Sequence, residues 1–261
     1  MADTLKKAPP GMLSRGLAIL VELGRHPDGV PLTELAKLVG LPVSTAHRLL
    51  TDLSELGFAT ADQETKRYRV GLRVLELAQG VALGKTVGST AAPAMAALTV
   101  DTEETTILSM LDGPEIVYIQ RIDPNRAVRI SAYVGQRGPA FCTSTGKVLL
   151  AELPEEQRQA VLSLTDYERY APNTNTDPAS VRAEIEGVSK AGYAVTDGEY
   201  DADIRAIAVP VMGSDGGCIA ALCVAAPAFR ASRAKLRQML PRLQATSKAI
   251  TADLSPDGAG R

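Results

Sequence analysis

Residues 41–60 read LPVSTAHRLLTDLSELGFAT, and the order of apolar and polar residues in this stretch decides the fold of the first part of the chain. One set of apolar residues recurs at the spacing of a single helix face and predicts a buried stripe: Ala46, Leu49, Leu50, Leu53 and Leu56. A polar set falls on the opposite face of the same helix: Ser44, His47, Arg48 and Thr51. The stretch therefore predicts an amphipathic helix with an outward row of hydrogen-bonding side chains.

Two shorter helices are predicted before this one. The first begins after Gly11, ends near Pro27, and carries along one face Leu13, Leu17, Leu20 and Gly24. The second covers residues 33–39 and ends at Gly40, with a buried face formed by Leu35, Leu38 and Val39. Because only a brief turn joins the second helix to the third, we expect these two helices to cross steeply.

After the third helix the pattern changes from helical to extended. Residues 58–61 and 67–70 predict two strands, and the polar run 62–66 between them predicts the turn of a β-hairpin. Helix, turn, helix and hairpin make a winged helix-turn-helix, in which the second helix of the pair enters the major groove of DNA. The residues predicted to contact DNA are Ser44, Thr45, His47, Arg48 and Thr51 on the helix, and Lys66, Arg67 and Arg69 on the wing.

The polar row also has a plainer interpretation, because the polar face of an amphipathic helix is usually just solvated. Residues 41–73 carry five basic and four acidic side chains, so their net charge of +1 does not decide between the two interpretations. The order of the charges favours DNA binding. The acids lie late in the helix or before the wing tip, whereas the cations lie where a duplex would pass.

The composition limits the classes of protein to which the chain can belong. The 261 residues are 45% hydrophobic and 22% charged, with a formal net charge of −2, which is typical of a globular protein of one or two domains. The three cysteines form no CxxC pair and the N-terminus lacks a secretory signal, which predicts a cytoplasmic protein. The longest apolar run, residues 218–229, is shorter than the roughly 20 residues of a membrane span. No membrane partner is therefore predicted.

Histidine usage limits the chemistry that the chain can perform. Both histidines, His26 and His47, lie in the first fifth of the sequence, so imidazole cannot act as a base or metal ligand elsewhere. An acidic group, Asp197, Glu199, Asp201 and Asp203, lacks the spacing of a calcium-binding loop and predicts a solvated turn. Cys142 has no histidine to activate it and is expected to be a small buried residue. We predict neither a metal site nor a cofactor.

The remaining chain predicts a linker helix and then a separate α+β domain. A wide apolar face over residues 72–84 predicts a helix that packs on a second subunit. An Ala-rich helix over residues 89–100 should lead into one antiparallel sheet with helices on its faces. Strands are predicted at residues 106–111, 115–122, 128–134, 204–212 and 218–225, and helices at 145–153, 155–164, 179–190 and from about 232.

The segment TSTGK at residues 143–147 opens one of these helices. Free N–H groups and the helix dipole at such a start favour an anion, for example a carboxylate. The segment is not a P-loop, because the nearest upstream glycine is Gly138 and Val148 replaces the required hydroxyl. Ordinary N-capping by Ser or Thr explains the same residues equally well, so both interpretations stay open.

Several ordered motifs resemble the isocitrate-lyase-regulator (IclR) family of bacterial transcription factors. LTELAKLVGLPVSTAHRLLTDLSELGFA, followed by TKRYRVGLRVLELA, is similar to the DNA-binding segment of that family. YVGQRGPAFCTSTGKVLLAELP and GYAVTDGEYDADIRAIAVPV resemble its ligand-binding domain. The resemblance covers residues 13–250. It implies a homodimer or homotetramer whose GAF-like C-terminal domain binds a small effector and alters affinity for a double-stranded DNA operator.

The resemblance also implies an effector pocket against the helix start, the acidic turn and the last two strands, with these residues in its wall: Ser144, Thr145, Asp197, Ala206, Cys223 and Ala225. Relatives often carry hydroxyls where this chain has Cys223 and Ala225, and glycine is common where it has Asp203 and Ile204. A less polar pocket follows. We predict an organic acid with an apolar body, aromatic bodies included, rather than a two- or three-carbon acid.

The predicted fold class is α+β, with a winged helix-turn-helix, a linker helix and a GAF-like antiparallel sheet with flanking helices. The predicted segments are a disordered tail (1–10), the DNA-binding domain (11–71), the linker helix (72–88), the effector-binding and oligomerisation domain (89–254) and a second disordered tail (255–261).

The leading functional hypothesis is a ligand-responsive regulator that reads a pseudo-palindromic operator with half-sites ~34 Å apart. Two alternatives stay open. One is an enzyme that acts on a small acid in the C-terminal pocket, and the other is a DNA-binding dimer that holds no ligand. The sequence does not decide the sign of the regulation, the effector, or dimer against tetramer.

Overall fold

A computed structural model describes residues 11–62, 64–79 and 82–254 of the chain. Contacts between residues divide the chain into two compact units, with the boundary between Ala82 and Leu83. The two predicted tails, residues 1–10 and 255–261, lie outside the described residues. In the part of the chain that is described, no helix is both long enough and apolar enough to cross a membrane.

The first unit is a winged helix-turn-helix, as predicted. Its elements are α1 (Met12–Gly24), β1 (Val30–Pro31), α2 (Leu32–Leu38), α3 (Val43–Glu55), β2 (Ala59–Ala61), β3 (Arg67–Val70) and α4 (Arg73–Gln79). The hairpin of β2 and β3 is antiparallel, with Ala59 opposite Val70 and Ala61 opposite Tyr68. The sequence did not predict β1, a two-residue strand that pairs with β3 and completes the sheet order β1-β3-β2.

The core of this unit confirms the apolar stripe of α3. Ala46, Leu49 and Leu50 are buried, whereas Leu53 is half-buried and Leu56, just past the helix end, is exposed. Gly40 ends α2 with a φ of +66°, which a residue without a side chain adopts easily.

The predicted core face of α1 is wrong. Leu13 and Leu17 are 77% and 52% exposed, and the core instead receives Ile19 and Leu23. Leucines occupy more of the circumference of α1 than the small core can cover. Spacing alone therefore chose the wrong apolar stripe.

The second unit contains α5 (Ala82–Thr102), β4 (Thr105–Asp112), β5 (Glu115–Ile122), β6 (Arg137–Pro139), α6 (Ser144–Glu152), α7 (Glu155–Ser163), α8 (Pro178–Ala191), β7 (Ala194–Asp197), β8 (Ile204–Met212), β9 (Cys218–Pro227) and α9 (Arg233–Leu254). The boundary predicted between residues 88 and 89 falls inside α5. The predicted linker helix and Ala-rich helix are therefore divided differently, into α4 and α5. Helix α9 continues through Pro241, which the sequence had suggested as a kink or break.

The sheet of this unit is antiparallel, in the order β6-β5-β4-β9-β8-β7. One face, here called the α6 face, packs against apolar residues of α6, α7 and α8. The other, here called the α5 face, packs against α5 and α9. This three-layer arrangement agrees with the predicted sheet with flanking helices. Strand β7, which pairs with β8 at the edge of the sheet, was not predicted.

The strand predicted at residues 128–134 is wrong. This segment has no regular structure, and β6 at residues 137–139 takes the place beside β5. The guanidinium of Arg121 donates to the backbone carbonyls of Ile130, at 2.5 Å, and of Ala132. A side chain therefore satisfies carbonyls that a neighbouring strand would otherwise have bonded.

Candidate functional site

The polar row of α3 lies on the surface of the first unit. Ser44, His47, Arg48 and Thr51 are exposed, and Thr45 is half-buried. The hydroxyl of Thr51 donates to the carbonyl of His47 at 3.0 Å, and Arg48 Nη2 lies 3.6 Å from Met12 Sδ on α1. Within the described residues, the side chains of Ser44 and His47 make no hydrogen bond. The row can thus contact a partner, although the hydroxyl hydrogen of Thr51 and one N–H of Arg48 are used within the first unit.

The start of α3 is also open. Pro42 occupies the N-cap position and supplies no side-chain hydrogen bond, and no acidic residue lies in the first turn. The first N–H used by the helix is that of Ala46, which donates to Pro42 O at 3.0 Å. The backbone N–H groups of residues 43–45 and the positive end of the helix dipole can therefore meet an anion such as a DNA phosphate.

The three predicted wing cations differ in their surroundings. Lys66 is exposed in the hairpin turn and has a φ of +54°. Arg67 donates from Nε and Nη2 to the carbonyl of Gly29, at 3.0 and 2.8 Å. Arg69 Nη2 lies 3.4 Å from the carbonyl of Asp28. The structure therefore ties both arginines to the turn before β1 and leaves Lys66 without such a tie.

In the second unit, the start of α6 is closed by its own side chain. Thr143 Oγ1 accepts from Gly146 N at 3.3 Å and donates to Pro139 O at 2.9 Å, so the N-capping interpretation of this threonine is correct. Ser144 and Thr145 are buried, yet neither hydroxyl has a hydrogen-bond partner among the described residues. Two hydroxyls are thus left for another group.

Three of the other predicted pocket residues lie together on the α6 face. Ala206 on β8 pairs with Ala225 on β9, and two residues further along the strands Ala208 pairs with Cys223. All are buried in the cluster that also holds Phe141 and Cys142. Burial raises the pKa of both the Cys142 and Cys223 thiols to about 12, so these groups are neutral at physiological pH. The wall that they form is small and weakly polar.

Asp197 is not brought together with these residues. Its carboxylate contacts Arg205 Nε at 2.5 Å and Arg233 Nε at 3.4 Å. It lines a groove of about 320 Å³ with Asn173, Asn175, Glu184, Glu199 and Arg233. Ala194 points to the α6 face, so Asp197, three residues along the same strand, points to the opposite side.

The sequence missed an ion cluster around the buried Lys147. This lysine side chain is only 5% exposed, and its Nζ lies 2.7 Å from Glu184 and 2.5 Å from Glu199. Burial lowers the pKa of Lys147, but the two carboxylates raise it by more, so it stays above its ordinary value. Glu199 therefore does not belong to a solvated turn, unlike Asp201 and Asp203, which are exposed. Lys147 lies far from both partners along the chain, so no local sequence pattern indicated these contacts.

A second missed feature is a group of aromatic rings on the α6 face. Phe141 and Tyr167 have ring centroids 5.2 Å apart, and those of Tyr170 and Tyr200 are 5.3 Å apart. Tyr118 on β5 packs against the same cluster. In the residues that the structure describes, no group of histidine, cysteine or acidic side chains could hold a metal ion.

Comparison with known proteins identifies both units. Residues 81–252 match the profile of the bacterial transcriptional regulator IclR C-terminal domain, and residues 12–63 match that of the IclR helix-turn-helix domain. The chain belongs to the IclR family. It is therefore an IclR-family transcriptional regulator with an N-terminal DNA-binding helix-turn-helix domain and a C-terminal effector-binding domain.

IclR-family proteins resemble the chain over nearly its whole length. The HTH-type transcriptional regulator KdgR of Escherichia coli K12 is 30% identical over 252 residues, which cover 96% of this chain and 95% of KdgR. The crystal structure of IclR from Thermotoga maritima has a TM-score of 0.73 and 26% identity, with 93% of this chain and 98% of that chain covered. An IclR homolog from Microbacterium hydrocarbonoxydans, solved with 4-hydroxybenzoate, has a TM-score of 0.76 and 29% identity over 94% and 99% of the two chains.

Proposed function

We propose that the protein is a ligand-responsive regulator that works in the cytoplasm as a homodimer or homotetramer. It binds a pseudo-palindromic double-stranded DNA operator with half-sites ~34 Å apart. A small organic acid with an apolar, aromatic body binds the effector unit and changes operator affinity. The observation that carries this proposal is the exposed row Ser44, His47, Arg48 and Thr51 on a helix whose opposite stripe is buried.

In this proposal α3 reads the major groove. Arg48 and the row beside it contact base edges and backbone, and the open helix start binds a phosphate through its free N–H groups. Lys66 contacts a phosphate from the wing tip. Arg67 and Arg69 fix the wing to the turn before β1. Each guanidinium has five N–H donors, so donors that Gly29 and Asp28 leave unused can still contact phosphates.

The effector is proposed to bind on the α6 face. The free hydroxyls of Ser144 and Thr145 would bind its carboxylate, and Ala206, Cys223 and Ala225 would form an apolar wall. The rings of Phe141, Tyr167, Tyr170 and Tyr200 favour an aromatic body, because aromatic rings pair well at centroid distances of about 4.5–7 Å. Asp197 keeps a supporting role at most, since two arginines already bind its carboxylate. The homolog solved with 4-hydroxybenzoate gives independent support for an aromatic acid.

Oligomerisation is proposed to use the apolar face of α4. Leu75 and Leu77 are both more than half exposed, as is Leu72 just before the helix. Leucines so exposed on a seven-residue helix favour burial against another copy of the chain.

The acid and the DNA are proposed to be coupled by a change in quaternary arrangement worth about 1–3 kcal/mol. The test begins with duplexes selected from a random pool, whose affinity is measured by fluorescence anisotropy with and without 4-hydroxybenzoate or benzoate. We expect at least one acid to change the affinity of wild-type protein. An affinity that no acid in a broad panel changes would favour the constitutive dimer, and consumption of a bound acid would favour the enzyme.

Arg48→Ala tests the DNA-binding row in the same assay. It should weaken binding to the selected duplex by about tenfold or more, because a good bidentate contact contributes roughly 1–3 kcal/mol. Acid binding should not change. Arg182→Ala removes the same charge from an exposed position on α8 and should leave both affinities unchanged. An unaltered operator affinity in Arg48→Ala would remove Arg48 from the interface.

A further inference from the structure

Ser109 is a fully buried serine on β4 whose hydroxyl has no hydrogen-bond partner among the residues that the structure describes. Buried polar side chains nearly always have a partner, so a native hydroxyl without one needs an explanation. Ser109 lies opposite Ala221 on β9, in a register that puts the neighbouring Ile107 opposite Cys223. Ala221, Ile107 and Cys223 all belong to the cluster on the α6 face. The unpaired hydroxyl of Ser109 therefore belongs to the face proposed to receive the effector.

Tyr118 adds a second hydroxyl on the same face. On its other side Ser109 lies opposite Tyr118 of β5, next to a register shift between Leu108 and Ser109, and Tyr118 packs against the cluster on the α6 face. The phenol of Tyr118 makes no hydrogen bond within the described part of the chain. Burial raises the pKa of Tyr118 well above its ordinary range, and Cys223, Tyr200 and Cys142 raise it further. The phenol therefore stays protonated and can donate.

The position of Ser109 and Tyr118 along the sheet determines which part of an effector they can contact. Ala225 and Cys223 lie in the predicted effector wall, and Ala221, beside Ser109, lies two residues beyond Cys223 on the same strand. Two residues of a strand span about 7 Å. That distance is comparable to one aromatic ring with a substituent at each end. The side chains that line this part of the sheet are small, namely those of Ala206, Ala208, Ala221 and Ala225.

We propose that Ser109 and Tyr118 bind a hydroxyl group on the ring of the effector, and so make the protein selective for hydroxylated aromatic acids over the unsubstituted acid. This inference rests on the proposed function, in which the carboxylate binds elsewhere on the α6 face. Each of the two side chains can donate one hydrogen bond and accept another, which suits a phenol better than a methyl group or a hydrogen.

The test is a calorimetric titration of the full chain with 4-hydroxybenzoate and with benzoate. Wild-type protein should bind 4-hydroxybenzoate more tightly. Ser109→Ala and Tyr118→Phe each remove only a hydroxyl, and each should reduce the ratio of the two affinities by about tenfold or less, the effect of one hydrogen bond, while benzoate affinity stays within about twofold. Tyr193→Phe, on the α5 face, is the matched control and should leave the ratio unchanged.

The outcomes distinguish a failure of this inference from a failure of the proposed function. If wild-type protein binds both acids but neither variant changes the ratio, or both variants weaken the two acids equally, the selectivity role is overturned and the effector site stands. If wild-type protein binds no organic acid, the proposed effector function fails, and this inference fails with it. Far-UV circular dichroism and urea denaturation midpoints close to those of the wild type verify that both variants are folded.

Discussion

Two helices of this protein begin with nearly the same residues and have opposite environments. Helix α3 contains Ser44-Thr45-Ala46-His47, and α6 contains Ser144-Thr145-Gly146-Lys147. In α3 only one stripe is buried and the polar residues face outward, whereas in α6 every residue from Ser144 to Ala151 is buried. A Ser-Thr pair at a helix start therefore does not decide exposure. The number of faces that the surrounding elements cover decides it.

The comparison has a functional meaning. An exposed row with an open helix start suits a large partner that approaches from solvent, such as a duplex. Hydroxyls of buried residues beside small apolar side chains suit a small partner that must be desolvated. In our proposal the same residue types thus serve recognition of DNA in one unit and of an acid in the other.

Lys147→Met should have the largest effect, because it removes the cation of the buried Lys147–Glu199 pair and leaves Glu199 beside the more exposed Glu184. Breaking a buried ion pair costs roughly 3–5 kcal/mol, so we expect the free energy of unfolding to fall by about 4 kcal/mol in urea denaturation at pH 7. The exposed Lys190→Met on α8 should change it by less than about 0.5 kcal/mol. A loss below about 1 kcal/mol for Lys147→Met would show that the cluster contributes little.

The pH dependence of this variant follows from the same contacts. In the wild type, the raised pKa of Lys147 gives stability that is present below the ordinary pKa of lysine and lost as the pH rises through the raised value. Burial already raises the pKa of Glu199, and Lys147 offsets part of that rise. Without the lysine, the folded protein binds a proton at Glu199 more tightly than the unfolded chain does. The difference in the free energy of unfolding between the wild type and Lys147→Met should therefore decrease as the pH falls below neutrality.

Local patterns predicted α3 and could not predict the surroundings of α6. The apolar residues of α3 form a single stripe, unlike those of α1, so both the buried and exposed faces of α3 followed from residues 41–56. The partners of Lys147 are Glu184 and Glu199, which lie on other elements, and their contacts form only in the folded sheet. The direction of the Asp197 side chain could not be predicted for a similar reason. Its direction depends on the alternation of β7, a strand that the sequence read as a turn.

Gly146→Ala tests how tightly the start of α6 is enclosed. A Cβ at this position would lie 2.2 Å from the carbonyl oxygen of Ala140 and 2.4 Å from its Cα, and backbone atoms cannot rotate away. We expect a loss of about 3 kcal/mol in the free energy of unfolding, the upper range for an overpacked core. The corresponding residue in α3 is Ala46, which has a buried Cβ. The reverse change, Ala46→Gly, should cost only about 1 kcal/mol from helix propensity, plus the loss of one methyl contact. A Gly146→Ala variant as stable as the wild type would show that the Ala140 segment moves easily.

Exchanging the residues that precede the two Ser-Thr pairs should have the smallest effect. Thr143 caps α6 through its hydroxyl, so Thr143→Val, which keeps the shape and removes the hydroxyl, should lower the free energy of unfolding by about 1 kcal/mol. Val43 occupies the first turn of α3, where Pro42 is the N-cap, and its side chain is 46% exposed. Val43→Thr should therefore change stability by less than about 0.5 kcal/mol, because a hydroxyl added after the cap position does not bond the free N–H groups. Equal effects from the two substitutions, measured by urea denaturation, would contradict the contrast between a side-chain-capped α6 and an open α3, and with it the availability of the α3 start for a phosphate.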